Sequence, residues 1–275
     1  MFDKLKYISF FSFLAVGVFA SEVIDQEFTT ITSSVLLEEQ TISGGEYANL
    51  DTVFERVITL GQDCVSKGHI NAFFNPEQTD ARLTKKGHAD LFDWMQIQDY
   101  NLFAKAIESK LSDFFDRDDL EIKPAYVVTL YNNKYKMRWW HLFDGAYIKN
   151  SFKDISVLTE EKLNDLFPLI KRKIDYLKNK FLEAKYKKTL YVISTPNVGF
   201  DLKTILDLRD SIEKSRDNDK NFFILFVPQI KTFESTENIL VRTSDQYLQL
   251  WHQGSDQLRW NEILSEFKFI SDIWN

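Results

Sequence analysis

Apolar runs of strand length alternate with amphipathic stretches along most of the chain, from about Leu50 to its end. Several of the runs carry almost no polar residue, which is typical of parallel strands that are buried on both faces. The pattern therefore predicts an α/β domain. We predict strands at residues 56–60, 125–131, 136–140, 189–194, 222–227 and 239–243.

The amphipathic stretches between these runs predict helices. The clearest of them, residues 160–185, repeats apolar residues at spacings of three and four, while lysines cover the opposite face. The other predicted helices cover residues 65–73, 99–115, 202–215 and 258–269. Together the elements predict a single α/β domain over residues 50–275, with a central mostly parallel sheet flanked by helices.

The first residues of the chain have the features of a secretory signal peptide. Lys4 and Lys6 precede an apolar run at residues 8–19, which ends near Ala20. We expect cleavage near Ala20 and a secreted or periplasmic mature chain. An uncleaved N-terminal anchor is the alternative, although the run is shorter than the roughly 20 apolar residues of a spanning helix. Residues 21–49 show no sustained period, and we interpret them as a leader or an edge extension.

The charge balance excludes some classes of partner. The chain of 275 residues has 34 basic and 41 acidic side chains, for a net charge of −7 at pH 7. Loss of residues 1–20 removes two lysines and one aspartate, which leaves −8. We expect no nucleic-acid partner, because a basic patch is the usual signature of that function. No later segment has membrane-spanning length. The sequence leaves open the substrate (peptide, ester or glycan) and the oligomeric state.

Cys64 is the single cysteine of the chain, and it lies between a predicted strand and a predicted helix. A thiol at a helix N-terminus is a better nucleophile, because the helix dipole and free N–H groups stabilise the thiolate. Cys64 follows Leu60-Gly61-Gln62-Asp63, a turn at the point where α/β folds expose ligand-binding and nucleophilic groups. The alternative is a small buried residue, since free cysteine is among the most buried residue types.

Two aromatic clusters lie further along the chain. The first is Phe92-Asp93-Trp94, and the second is the strand end from Arg138 to Asp144, which contains His141. Each cluster has a structural alternative. The first would be an aromatic core contact with Asp93 as a helix N-cap, and the second would hold a structural histidine.

Taken in order, these residues resemble a family of papain-like cysteine peptidases, bacterial proteins of otherwise unknown function. Its members share a Leu-Gly strand end, a cysteine shortly after it, a Phe-Asp-Trp element, an aromatic-flanked histidine, a basic helix, an apolar strand and a C-terminal Asp and Trp. The matching residues here are Leu60-Gly61, Cys64, Phe92-Asp93-Trp94, His141 with Phe143, Lys171 to Ile174, Leu190 to Ser194, Asp256 and Trp260.

The resemblance implies a cysteine-dependent hydrolase or acyl transferase that needs no cofactor and no metal. In that scheme Cys64 attacks a carbonyl, His141 takes and returns the proton, and an acidic residue orients the imidazole. Asp256 fits the acidic role by its C-terminal place, Asp93 by its motif and Asp144 by its nearness to His141 in the sequence.

Supporting roles follow from the same resemblance. Gln62 would donate an amide N–H to the developing oxyanion. Asp93 and Trp94 would support the site through their shared motif. The alternative is that Gln62 is an ordinary turn residue.

Other interpretations remain open. The turn also resembles the Gly-Asp-Ser block of serine hydrolases that end in Asp-x-x-His, with Cys64 in place of the serine and Arg259 in place of the histidine. A hydrolase of that type would lack its base. The alternative function is therefore a non-catalytic secreted binding protein for a glycan or protein ligand, with Cys64 structural. A metal site of Cys64, His69 and His88 matches no zinc spacing.

Overall fold

The computed structural model describes most of the chain that follows residue 51. The described residues are 52–61, 65–76, 89–93, 95–124, 128–140, 159–195, 200–230, 233–244, 255–271 and 273. Of these, residues 65, 124, 128, 255 and 256 are described by their backbone alone. The predicted signal peptide and leader lie outside the described residues.

Four parallel strands form the central sheet. They are β2 (Arg56–Thr59), β7 (Thr189–Thr195), β8 (Phe222–Pro228) and β9 (Ile239–Val241), and they lie side by side in that order. Each neighbouring pair is parallel. The predicted parallel sheet is confirmed, and its four strands were all predicted from their apolar runs.

Helices cover both faces of this sheet. One face packs against α1 (Val65–Phe74) and α5 (Ser255–Ser265). The other face packs against α2 (Tyr100–Glu108), α3 (Glu160–Glu183) and α4 (Leu202–Ser215). Successive strand residues alternate between the two cores because side chains alternate across a strand. Both faces of the sheet are apolar, which explains why the strands have nearly continuous hydrophobic sequences. A parallel sheet covered by helices on both faces confirms the predicted α/β class.

A second sheet is antiparallel and separate from the first. Its strands are β3 (Met95–Ile97), β6 (Met137–Trp139), β5 (Val128–Asn132) and β4 (Leu120–Pro124), in that spatial order. The strands predicted at 125–131 and 136–140 correspond to β5 and β6 of this sheet. The strands β3 and β4 were not predicted. Two short strands, β1 (Val53–Phe54) and β10 (Lys268–Phe269), form a third, parallel pair.

The helix boundaries differ most from the predictions in α2 and α5. The helix predicted at 99–115 ends at Glu108, because Lys110 and Leu111 adopt left-handed φ angles of 54° and 57° that no α-helix contains. The helix predicted at 258–269 begins at Ser255 and ends at Ser265, and its predicted last residues form β10 instead. The predicted helix at 202–215 is confirmed over its full length.

The longest described helix, α3, has 24 residues and a charged outer face. Within the residues that the structure describes, no helix is both long and apolar enough to cross a bilayer.

Candidate functional site

The carboxyl end of β2 and the start of α1 are close in the chain, separated by Leu60, Gly61 and residues 62–64. Gly61 follows the strand with a φ of +79°, and a Cβ atom at this position would lie 2.4 Å from Cδ1 of Ile97. Only glycine fits both requirements, since it tolerates positive φ and has no side chain to collide with β3. Gly61 therefore allows the chain to pass close to β3 directly after β2.

A buried carboxylate ties the first turn of α1 to the end of β2. Oδ1 of Asp93 accepts a hydrogen bond of 2.6 Å from the Thr59 hydroxyl. Oδ2 accepts one of 2.8 Å from the backbone N–H of Asp90 and lies 3.0 Å from Nζ of Lys67. The side chains of Lys67 and Asp93 are 1% and 0% exposed, so water does not screen this pair. The start of α1 is thus fixed relative to β2.

A second ion cluster adjoins the first. Asp90 accepts a hydrogen bond of 2.7 Å from Nη2 of Arg56 and lies 3.5 Å from Nζ of Lys180 on α3. Burial opposes ionisation of this carboxyl, but the charges of Arg56, Lys67 and Lys180 outweigh it and hold its pKa below the ordinary value. Asp90 is therefore a charged link between β2 and α3.

Burial has the opposite net effect on Asp93. It raises the pKa of the Asp93 carboxyl, and the neighbouring Asp90 carboxylate acts in the same direction. The charge of Lys67 and the hydrogen bonds from Thr59 and Asp90 oppose this rise. Two carboxyl groups three residues apart in the chain thus have pKa values shifted in opposite directions by their surroundings.

Hydroxyl groups add further contacts at the same edge of the sheet. Oγ of Ser66, in the first turn of α1, lies 2.6 Å from Oγ of Ser194 near the end of β7, and both residues are buried. The hydroxyl of Tyr100 donates to the carbonyl of Leu60 at 3.1 Å. These bonds hold the start of α1 and the residue after β2 in place.

The helix α1 also packs against α5. Nδ1 of His69 lies 2.7 Å from Oε1 of Gln257, and the imidazole stacks on the Trp260 indole with ring centroids 5.0 Å apart. His69 is fully buried, so it is a packing residue of the helix and not a surface residue. Gln257 is in the first turn of α5, one residue after Asp256. The backbone of Asp256 is therefore near α1.

The structure tests few of the predicted site residues. Cys64, Gln62, Trp94 and His141 lie outside the described residues, and Asp256 is described by its backbone alone. Phe92, from the Phe-Asp-Trp motif, is confirmed as a core residue. Its ring packs edge to face against three other aromatic rings, those of Phe103, Phe114 and Phe181.

Two alternative roles can be compared with the structure. The N-cap of α2 is Asp99, whose carboxylate accepts hydrogen bonds from the N–H groups of Asn101 and Leu102. The Asp93 carboxylate instead accepts hydrogen bonds from Thr59 and from the backbone N–H of Asp90. Arg259 donates to the carbonyl of Thr243 at 3.0 Å and forms an ion pair with Glu262. Among the described residues, no three His, Cys, Asp or Glu side chains converge on a metal position.

The ion cluster itself was not predicted, although the sequence carries a signal for it. Lys67 is the single charged residue of α1, and Arg56 begins a buried strand. A charge that interrupts an apolar element is rarely left unpaired. The partners Asp90, Asp93 and Lys180 come from other parts of the chain, so their identity required the fold.

Comparison of the chain with protein-family models, with curated proteins and with solved structures finds no match. The family resemblance described above therefore stays a prediction.

Proposed function

We propose that the protein is a cysteine-dependent acyl hydrolase or transferase whose nucleophile is Cys64. The observation that carries the proposal is that β2 and α1 follow each other in the chain, and that α1 begins beside the carboxyl end of β7 in the parallel sheet. Cys64 directly precedes the first residue of α1. Nucleophiles and ligand sites of α/β folds favour this position, because the strand ends and helix N-termini of the sheet converge there.

The proposed reaction has two steps. The Cys64 thiolate attacks the substrate carbonyl, a C–S bond forms, and the bond to the leaving group breaks as the His141 imidazolium returns a proton to it. Water then attacks the thioester, His141 takes a proton from the water, and the C–S bond breaks to release the acid and the thiolate. Gln62 would donate a hydrogen bond to the oxyanion in both steps.

The contacts of Asp93 favour Asp256 as the residue that orients His141. Both carboxylate oxygens of Asp93 already accept hydrogen bonds or pair with Lys67. We propose that Asp93 is a positioning residue, which keeps α1 and the residue before it in place. The contact between His69 and Gln257 keeps the first turn of α5, and with it the Asp256 backbone, close to α1.

Covalent trapping tests this proposal. The mature protein is mixed with p-nitrophenyl acetate, quenched in acid and digested, and the peptide that contains Cys64 is analysed by mass spectrometry. We expect this peptide to gain one acetyl group, at a rate that a His141→Ala variant lowers roughly a hundredfold or more. A Cys64→Ala variant should gain none on this peptide, and His252→Ala should match the wild type.

The alternative function predicts a different result. A binding protein with a structural Cys64 would show no acetylation of this peptide above that of a denatured control. Equal rates for the wild type and His141→Ala would also exclude the proposed Cys–His mechanism.

A further inference from the structure

Arg138 lies on the face of the antiparallel sheet that is turned away from the core. Its neighbours in β6, Met137 and Trp139, are buried in the hydrophobic core at 0% and 3% exposure. Because side chains alternate along a strand, Arg138 and Trp140 lie on the opposite face. In the strand ladder, Arg138 is directly opposite Gln96 of β3 on one side and Tyr131 of β5 on the other.

Two aromatic rings hold the Arg138 guanidinium. Its central carbon is 5.0 Å from the centre of the Trp140 ring and 5.8 Å from that of Tyr131. Both distances are within the range of cation–π attraction. A guanidinium that packs on aromatic rings keeps its N–H donors in its own plane, where they can form a bidentate contact with an oxyanion.

The Arg138 charge lacks a partner among the described side chains. Its Nε is buried and has no hydrogen-bond partner there. Glu121, which is opposite Tyr131 in the strand ladder, lies 3.1 Å from Nζ of Lys123 and accepts a hydrogen bond from Asn133. Arg172 is the other described arginine for which no ion pair forms, and it is exposed to water. Partial burial of a guanidinium without a counter-charge costs free energy, which the binding of an anionic ligand would offset.

We propose that Arg138 is a binding site for a carboxylate group of the substrate, such as the C-terminal or side-chain carboxylate of a peptide. The inference rests on the proposed function, because Arg138 precedes the proposed base His141 by three residues. Gln96, opposite Arg138 in the ladder, adds an amide that can donate a further hydrogen bond.

A carboxylate matches the site better than a phosphate group. One guanidinium supplies a single positive charge, whereas a phosphate carries nearly two negative charges at neutral pH. The other cation of this face, Lys123, is already paired with Glu121. The net charge of −7 also disfavours a polyanionic ligand.

Binding of hippurate, with hippuramide as its neutral amide, tests the proposal directly. The Arg138 Nε–H and Trp140 indole N–H signals are followed by ¹⁵N NMR in a Cys64→Ala protein, so that no turnover occurs. We expect hippurate to shift both signals saturably and hippuramide to leave them unchanged. Arg138→Met should weaken binding of hippurate roughly tenfold to a hundredfold, and Arg138→Lys should weaken it less.

Controls separate this site from the fold and from catalysis. Arg209→Met, which removes a half-buried arginine paired with Asp210 on α4, should bind hippurate as the parent protein does. Trp140→Leu removes one of the two rings and should also weaken binding, so the test does not depend on Arg138→Met alone.

Three results would overturn the inference: equal shifts with hippurate and hippuramide, unchanged affinity in Arg138→Met, or saturable binding of inorganic phosphate without that of hippurate. Because binding is measured without turnover, failure of the acetylation test would leave a positive binding result in place and would identify a binding protein.

Discussion

A single carboxylate, that of Asp93, joins segments that are distant in the chain. It accepts a hydrogen bond from Thr59 at the end of β2 and pairs with Lys67 on α1. Because these groups are buried, the cost of removing their charges from water is offset only while the contacts remain intact. The position of α1 relative to β2 depends on this carboxylate.

We therefore expect Asp93→Asn to lower the free energy of unfolding by about 3 kcal/mol, since it leaves the buried Lys67 ammonium without a counter-charge. Urea denaturation of the mature protein measures this change. Asp175→Asn is the matched control, because it breaks an exposed ion pair with Lys171 and should cost about 0.5 kcal/mol or less. Equal losses of unfolding free energy in the two variants would show that the buried ion pair contributes no more to stability than the exposed one.

Gly61 allows a second prediction at the scale of one residue. Gly61→Ala should destabilise the fold by about 2 kcal/mol or more, because alanine is strained at a φ of +79° and its Cβ would collide with Ile97. In an Ile97→Ala background the collision disappears and only the backbone strain remains. A double-mutant cycle by urea denaturation should therefore give a smaller loss in that background. A loss of the same size would contradict the proposed close approach.

Asp217 provides a test of electrostatics at the surface. Nζ of Lys110 and Nζ of Lys185 each lie 2.5 Å from one of its oxygens, and these hydrogen bonds lower the pKa of Asp217 to about 2. Carboxyl ¹³C NMR should find this value in the wild type. Removal of either amine, as in Lys110→Met, should raise the pKa toward the ordinary 3.8. An unchanged pKa in both lysine variants would contradict the assignment.

At the scale of elements, Arg216 links α3, α4 and the central sheet through its hydrogen bonds. Its guanidinium donates to the backbone carbonyls of Ala184 at 2.8 Å, of Lys187 at 3.1 Å and of Asn221 at 3.2 Å. It also packs over the ring of Phe222 at the start of β8. The carbonyls of Ala184 and Lys187 follow the end of α3, and that of Asn221 precedes β8, so one buried side chain gives each of them an additional donor.

We expect Arg216→Ala to lower the free energy of unfolding by about 3 kcal/mol, because buried carbonyl groups lose a charged donor. Hydrogen exchange should become faster at the end of α3 and at the start of β7. The control is Arg209→Ala on the exposed side of α4, which should change the stability by about 0.5 kcal/mol or less. Unchanged exchange in Arg216→Ala would contradict this role.

The elements show which parts of the fold the sequence predicts. The central strands and α4 were predicted correctly because an apolar run or an amphipathic repeat is a local signal. The short strands β3 and β4 were missed, since three to five residues of mixed character do not establish a period. The early end of α2 was missed because the left-handed residues Lys110 and Leu111 are not glycines.

At the scale of the whole molecule, the buried and paired carboxyl groups determine the response to acid. The lowered pKa of Asp90 means that its stabilising effect is complete above the ordinary value of 3.8 and is lost as the pH falls below it. The raised pKa of Asp93 acts in the opposite sense, so its contribution is complete below 3.8 and is lost as the pH rises above 3.8 through the raised pKa of the folded state.

We therefore expect the free energy of unfolding to decrease as the pH falls below 3.8, and to decrease less steeply in Asp90→Asn than in the wild type. Urea denaturation at a series of pH values measures both slopes. Identical slopes for the wild type and Asp90→Asn would mean that Asp90 is not an ionised partner of Arg56, Lys67 and Lys180.

The candidate site was predicted only in outline. The sequence indicates a strand, a turn and a helix around Cys64, since these are local features. It does not indicate that Lys67, Asp90 and Asp93 form a buried network, because that depends on which segments the fold brings together. The unpaired state of Arg138 is likewise a property of its surroundings and not of its sequence.

The central claim, that Cys64 is an activated thiol, is tested most directly by the pH dependence of its alkylation with iodoacetamide in the mature protein. We predict that the thiol titrates well below about 8.5, the ordinary cysteine pKa, and that His141→Ala restores an ordinary value. A thiol that reacts at no pH until the protein unfolds would contradict the claim and identify Cys64 as a packing residue.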